Sequence, residues 1–147
     1  MQWHDGLLMG YAPMDAVHQE FVQCIAAVQN GAPAELPALM AALERHAVQH
    51  FEEENQWMES TEFPARECHI NEHNAVLTSV REVRALADEG NTAECQRLAT
   101  ALADWFPGHA DYLDSALAAW MCKRALGGRP VVLRRNLDLR GDAGQSA

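Results

Sequence analysis

The sequence of 147 residues predicts an all-α fold: an antiparallel up-down-up-down four-helix bundle with an N-terminal arm and a C-terminal tail. Three observations carry this. Apolar residues recur with a 3.6-residue rhythm from residue 14 to about 126. Runs of Val, Ile and Thr with period-two alternation are absent over the same span. The breaks between rhythmic segments are short, roughly two to seven residues, which makes consecutive helices antiparallel neighbours.

Each element has its own punctuation. Helix one is predicted over 15–29, with Asp15 as N-cap and Asn30-Gly31 as stop. Helix two follows over 36–60, with Pro37 tolerable only in its first turn. Helix three runs over 64–88, opened by Pro64 and closed by Gly90. Helix four runs over 92–126, with Asn91 as cap, Glu94 three residues later and Gly127-Gly128 as a break. Residues 1–13, with Trp3, Gly10 and Pro13, read as an extended arm on the bundle. The division is thus a bundle over 1–126 and a basic Gly/Arg-rich tail over 127–147. Such a tail is expected to be mobile, and its PVVLRRNLDLR stretch suits a short strand or a peptide that docks on a protein partner.

Composition bounds the rest. With 48% hydrophobic and 22% charged residues, the chain is too apolar for disorder and long enough to bury one core. No run approaches the 18 or so apolar residues of a membrane span, and MQWHDGLLMG lacks a basic leader followed by an apolar stretch. A soluble, cytoplasmic location is the expectation. The net charge of −10 is uneven: six basic against two acidic residues follow Met121-Cys122, leaving the first 122 at −14. An acidic body repels nucleic acid and anionic lipid. Cys24, Cys68, Cys95 and Cys122 form no CxxC pair and read as reduced, structural thiols.

The chemistry lies in the histidines. His50 and Glu54 are four apart within HFEEENQWM, as are His69 and His73 within HINEH. Four residues rotate a helix by about 400° and advance it about 6 Å, so each pair projects from one face. Helices two and three are antiparallel neighbours, and ligands on facing helices converge inside a bundle. A lone pair of this kind is ordinary surface decoration; histidines on all four helices, with carboxylates at matching spacing, are not. Burying several imidazoles with two carboxylates costs many kcal/mol unless compensated, and two cations bridged by those carboxylates compensate it. Glu54 therefore faces inward, with Glu52 and Glu53 turned largely to water. Imidazole with carboxylate suits iron, manganese or zinc. Ferritin-like di-metal bundles need Glu-x-x-His, yet no histidine here has glutamate three residues before it. HExxH is also missing.

MDAVHQEF on helix one, HFEEENQWM on helix two, EFPARECHINEHN leading into helix three, DWFPGHADYLD on helix four, and Trp3 and Gly10 in the arm resemble the hemerythrin family, in particular its bacterial single-domain members. The similarity spans roughly residues 3–122. It implies a non-haem di-iron centre with a bridging oxo or hydroxo group. By that resemblance His69, His73 and His109 hold one iron, His18 and His50 hold the other and leave it an open position, and Glu54 and Asp114 bridge both. The implied activity is reversible O2 binding, as hydroperoxide at the open iron, by a carrier, store or sensor and not a turnover enzyme.

Helical geometry does not itself select Asp114. Five residues separate it from His109, a rotation of about 500° that leaves the two about 140° apart on a regular helix. A local distortion, bent or π-bulged, is therefore expected between residues 103 and 114, and Pro107 removes one backbone donor there. Three departures from the family pattern stand out: Asn55 where a second glutamate is usual, Ala110 where a bulky aliphatic lines the O2 pocket, and the FPG at 106–108. Trp105, Phe106 and Ala110 are the pocket residues expected. A pocket widened at Ala110 favours faster autoxidation. It also opens the alternatives of a di-iron oxidase or peroxidase, or a module sensing O2, redox state, nitric oxide or peroxide and signalling through the tail. His46 is expected at the periphery, His4 in solvent, and Met58, not Trp57, in a core with Phe21, Leu43, Phe51, Leu77, Leu98, Leu102 and Leu117.

Overall fold

The computed structural model describes residues 1–125. The tail predicted over 127–147, with the Gly127-Gly128 break, lies outside the described residues. Within them, α1 spans Ala12–Asn30, α2 Leu36–Ser60, α3 Arg66–Asp88 and α4 Cys95–His109. A π-helical turn, Ala110–Asp114, joins α4 to α5, Ser115–Ala125, so the fourth rod is two α-helices with one wide turn between them. α1 packs on α2 and α4, and α3 packs on α2 and α4, closing the ring of a four-helix bundle.

Loops, not propensity, shift the helix starts. α1 begins at Ala12, and its N-cap is Tyr11 without a side-chain cap bond, so Asp15 is not the cap. One turn inside the helix, the Asp15 carboxylate instead accepts the Met9 N–H at 2.7 Å and the Gly10 N–H at 3.0 Å, tying the arm down. The arm is not wholly extended: Asp5–Leu7 form a 3-10 turn, with Leu7 and Met9 buried. α3 starts at Arg66 because residues 64–65 complete a turn after buried Phe63. α4 starts at Cys95, and Asn91 caps only the preceding turn, accepting the Ala93 N–H at 3.3 Å.

Two helix ends close in the same way. After α3, the Asn91 N–H reaches Leu86 O at 2.9 Å and the Gly90 N–H reaches Ala87 O at 3.0 Å, with Gly90 at φ +90°. After α2, the Phe63 N–H reaches Met58 O at 2.9 Å around Glu62 at φ 55°. Both use a left-handed residue to satisfy terminal carbonyls, and in the second the flanking apolar pair, Met58 and Phe63, is buried.

Phe21, Leu43, Phe51, Met58, Leu102 and Leu117 are buried as predicted, while Leu77 and Leu98 sit half-buried against the core. Trp57 stays half-buried, edge-on to Tyr11 at 5.3 Å. His4 is exposed, and the four cysteines are free. Among the described residues no helix is long and apolar enough to cross a membrane. Pro107 lies within α4, and the wide turn begins three residues beyond it. Gly108 is exposed, and a Cβ there would meet nothing within 4 Å. Gly108→Ala is therefore expected to stabilise the bundle by about 0.4–1 kcal/mol through the unfolded chain, seen as a small rise in Tm; a lower Tm would mean the segment needs glycine.

Candidate metal centre

All five histidines singled out in the sequence, and both acids, meet in the middle of the bundle. His18 comes from α1, His50 and Glu54 from α2, His69 and His73 from α3, His109 from α4, and Asp114 from the π turn; none is more than 4% exposed. Each points inward because its helix puts it in the buried stripe: His18 with Met14, Phe21 and Ile25, and His50 and Glu54 with Leu43, Ala47 and Met58. Asp114 depends on the wide turn. The Ser115 N–H donates to Ala110 O, five residues back, so the turn is broad enough to bring Asp114 Oδ1 within 3.1 Å of His109 Nε2.

The carboxylates divide their oxygens. Glu54 Oε2 faces His50 Nε2 at 2.9 Å and His18 Nε2 at 3.4 Å, while Oε1 faces His73 Nε2 at 3.3 Å and His69 Nε2 at 3.6 Å. Asp114 Oδ2 faces His18 Nε2 at 3.2 Å, while Oδ1 faces His69 at 2.9 Å and His109. One oxygen of Glu54 thus faces His18 and His50 and the other His69 and His73, while one oxygen of Asp114 faces His18 and the other His69 and His109. Most of these approaches are not aligned as hydrogen bonds. Among the described residues, Glu54 Oε1, both Asp114 oxygens and the Nε2 atoms of His69, His73 and His109 are buried without a hydrogen-bond partner. So many orphaned acceptors in one core are costly, and cations between them would remove the cost. Two sets have ligand atoms mutually within 4.8 Å: Glu54, His69, His73, His109 and Asp114; and His18, His50 and Glu54. The donor set fits a pair of metal ions sharing carboxylates.

The electrostatics agree. Burial lowers the His18 and His69 imidazoles, but the Asp114 and Glu54 carboxylates facing them at close range outweigh it and raise both to about 9. Burial pushes Glu54 up, yet His50, His18 and His69 hold it well below the carboxylate range. Burial and the Glu54 charge push Asp114 up, and His109, His18 and His69 hold it low. Burial keeps His73 below its ordinary value. In the metal-free chain, the raised imidazoles contribute stability fully present below pH 6.5 and lost as pH rises through about 9. The depressed carboxylates contribute above their unfolded values and lose it as pH falls through their folded ones. A metal ion held by these imidazoles would need their lone pairs, so loading would displace protons from His18 and His69. Loading at pH 7.5 in weak buffer is expected to acidify the solution, with apparent affinity rising up to about pH 9. An indicator dye checks this; metal uptake without acid release contradicts it.

Around the cluster lies a shell that sequence reasoning reached only in part. Asn55 Oδ1 lies 2.8 Å from His73 Nδ1, so the residue departing from the family pattern orients a histidine. Glu72 was not foreseen. Its Oε1 accepts the Trp105 indole N–H at 2.8 Å and lies 2.8 Å from His109 Nδ1, fixing that ring as second partners of ligand histidines do. Phe51 stacks on His73 at 4.1 Å, and Phe106 stands edge-on to His18 at 4.9 Å. The expected pocket residues divide accordingly: Phe106 borders the His18 half, Trp105 lies over His109 at 4.3 Å, and Ala110 is wholly buried at the start of the wide turn. His46 joins neither ligand set, as expected, but is no bystander: it stacks on Phe21 and stands 5.4 Å from His50.

Known proteins bear on this geometry. A family model described as the hemerythrin HHE cation binding domain matches residues 9–121. A bacteriohemerythrin from Ralstonia nicotianae is 40% identical over 124 residues, covering 84% of this chain and 90% of its own. A myohemerythrin from Riftia pachyptila is 26% identical over 113 residues, covering 76% and 86%. A crystal structure of a hemerythrin with a leucine-to-alanine substitution shares the fold, with a TM-score of 0.72, at 19% identity over 81% of this chain and 98% of that one.

Proposed function

The chain belongs to the hemerythrin family, and from that premise we propose that it holds two iron ions at the seven-residue cluster and takes up O2 there reversibly, as a carrier, store or sensor and not as an enzyme. The observation that carries this is the division of the two carboxylates: Glu54 turns one oxygen toward His18 and His50 and the other toward His69 and His73, and Asp114 turns one toward His18 and the other toward His69 and His109. Such a pair of acids suits two cations side by side. His69, His73 and His109 would hold one ion and His18 and His50 the other, with Glu54 and Asp114 shared.

When bound, the iron pair supplies the two electrons that O2 uptake takes and that release returns. The protein supplies the setting. Three histidines against two leave the His18 and His50 half with fewer protein ligands, and so with room for a small molecule. Phe21 and Phe106, buried and packed on those two histidines, keep bulk water from that half. Glu72 and Asn55 hold His109 and His73 at fixed ring angles, keeping the three-histidine half rigid.

Iron per chain, followed by visible charge-transfer bands while the reduced protein is cycled between nitrogen and air, tests the reading. Two irons and bands that come and go with air are expected. Loading without reversible bands removes the O2 role, and sustained catalytic consumption of H2O2 would put an enzyme in its place. Ala110→Ile, which adds bulk at a buried position next to His109, is expected to slow the decay of the oxygenated spectrum several-fold. A rate unchanged or faster would retire the idea of a widened pocket.

A further inference from the structure

Every ligand atom of the cluster is enclosed by the bundle, so an ion bound there has to cross protein. On one side the wall is thin. Between α1 and α2 a cleft of about 60 Å³ is lined by Val17, Glu20, His46, Gln49, His50 and Glu53. We infer that this cleft is the portal through which ferrous ions reach the centre, with Glu20 and Glu53 gathering the cation and His46 and His50 handing it inward. The inference rests on the proposed iron site.

Four observations converge on it. His50 belongs to both places: its Nε2 lies 2.9 Å from Glu54 Oε2 in the core, and its ring also lines the cleft. Its other nitrogen, Nδ1, is buried without a hydrogen-bond partner, although the side chain is 1% exposed. His46, one helical turn earlier, also lines the cleft and also has a buried, unpartnered nitrogen, Nε2. The rim is acidic: Glu20 is exposed, its Oε2 lies 3.8 Å from His46 Nδ1, Glu53 is half-buried, and among the described residues no lysine or arginine lines the cleft.

The chemistry suits a cation shedding water by stages. Carboxylates at the mouth exchange easily with a hydrated divalent ion, and imidazole nitrogens further in bind ferrous ion more firmly. The gradient runs from solvated oxygen ligands to buried nitrogen ligands and ends at Glu54. Clefts lined by one sign of charge also raise ion capture rates, by roughly 10- to 1,000-fold at low salt.

The test follows iron uptake by the metal-free full-length chain under nitrogen at low ionic strength. Ferrous ion is added, uptake is stopped with a chelator at intervals, and retained iron per chain is measured. The double variant Glu20→Gln, Glu53→Gln is expected to fill at least about tenfold more slowly while reaching the same final iron content and the same visible spectrum in air. A control with equal charge change elsewhere, Glu59→Gln with Glu82→Gln at exposed positions, is expected to fill like the original chain. Equal rates in all three proteins, or equal slowing in both variants, would overturn the portal. An original chain that never retains two irons would overturn the iron site itself and the portal with it.

Discussion

Glu54→Ala is expected to lower iron affinity at least about a hundredfold and to abolish any band that responds to air. Losing a residue that merely orients a ligand typically costs about 10–100-fold, and Glu54 stands closer than that. It faces four imidazoles, from α1, α2 and α3, and its two oxygens serve both halves of the cluster. If it is shared between two ions as proposed, removing it would subtract a ligand from each at once, and it leaves the raised His18 and His69 facing one anion, Asp114, where they had two. Iron analysis after equilibration with a competing chelator measures the loss. Glu52→Ala, two residues away and exposed, is the control expected to bind as before. A Glu54→Ala protein that keeps two irons and its spectrum would show that the acid is not shared between ions.

Stripping the metal is expected to cost the bundle about 10 °C or more in Tm. The reason is the number of buried polar atoms that the protein alone leaves without partners: the Nε2 atoms of three histidines, one Glu54 oxygen and both Asp114 oxygens. A ligand that binds only the folded chain stabilises it by about 4 kcal/mol at a thousand times its dissociation constant. For a domain of this size each kcal/mol moves Tm by roughly 2–5 °C. Scanning calorimetry of the chelator-treated and reloaded protein reads the difference. Identical midpoints would mean that the cluster is satisfied without cations, and the case for a metal centre would fail on grounds independent of its colour.

Much of this arrangement was legible in the sequence, and the exceptions have a common cause. His50 with Glu54, and His69 with His73, could be placed on shared faces because their helices are regular and four residues make one turn. Asp114 could not be placed so. Its alignment with His109 comes from a wide turn whose only sequence hints were an awkward five-residue spacing and a nearby proline; the resemblance to a family, not periodicity, picked it out. Glu72 was missed because its partners, Trp105 and His109, lie on another rod, and no local pattern encodes a bond across a bundle. Asp15 looked like a cap and proved to be an anchor for the arm, because a carboxylate one turn inside a helix can still reach backward to the chain that precedes it. The starts of α3 and α4 slipped by two or three residues for a similar reason: turn residues with helical preferences extend the apparent pattern.

The fourth rod holds a last consequence. Its buried positions step through Cys95, Ala99, Leu102 and Phe106 by threes and fours to the adjacent pair His109 and Ala110, and Asp114 follows five residues after His109, before Leu117, Ala118 and Cys122. The two portions are therefore out of phase by one residue, as if a single amino acid had been spliced into an otherwise even ruler. On the outer side of the wide turn Asp111 and Tyr112 are exposed, Tyr112 to 83%. Any alignment that counts this rod as one unbroken periodic helix will misplace everything beyond His109, including the acid that faces it.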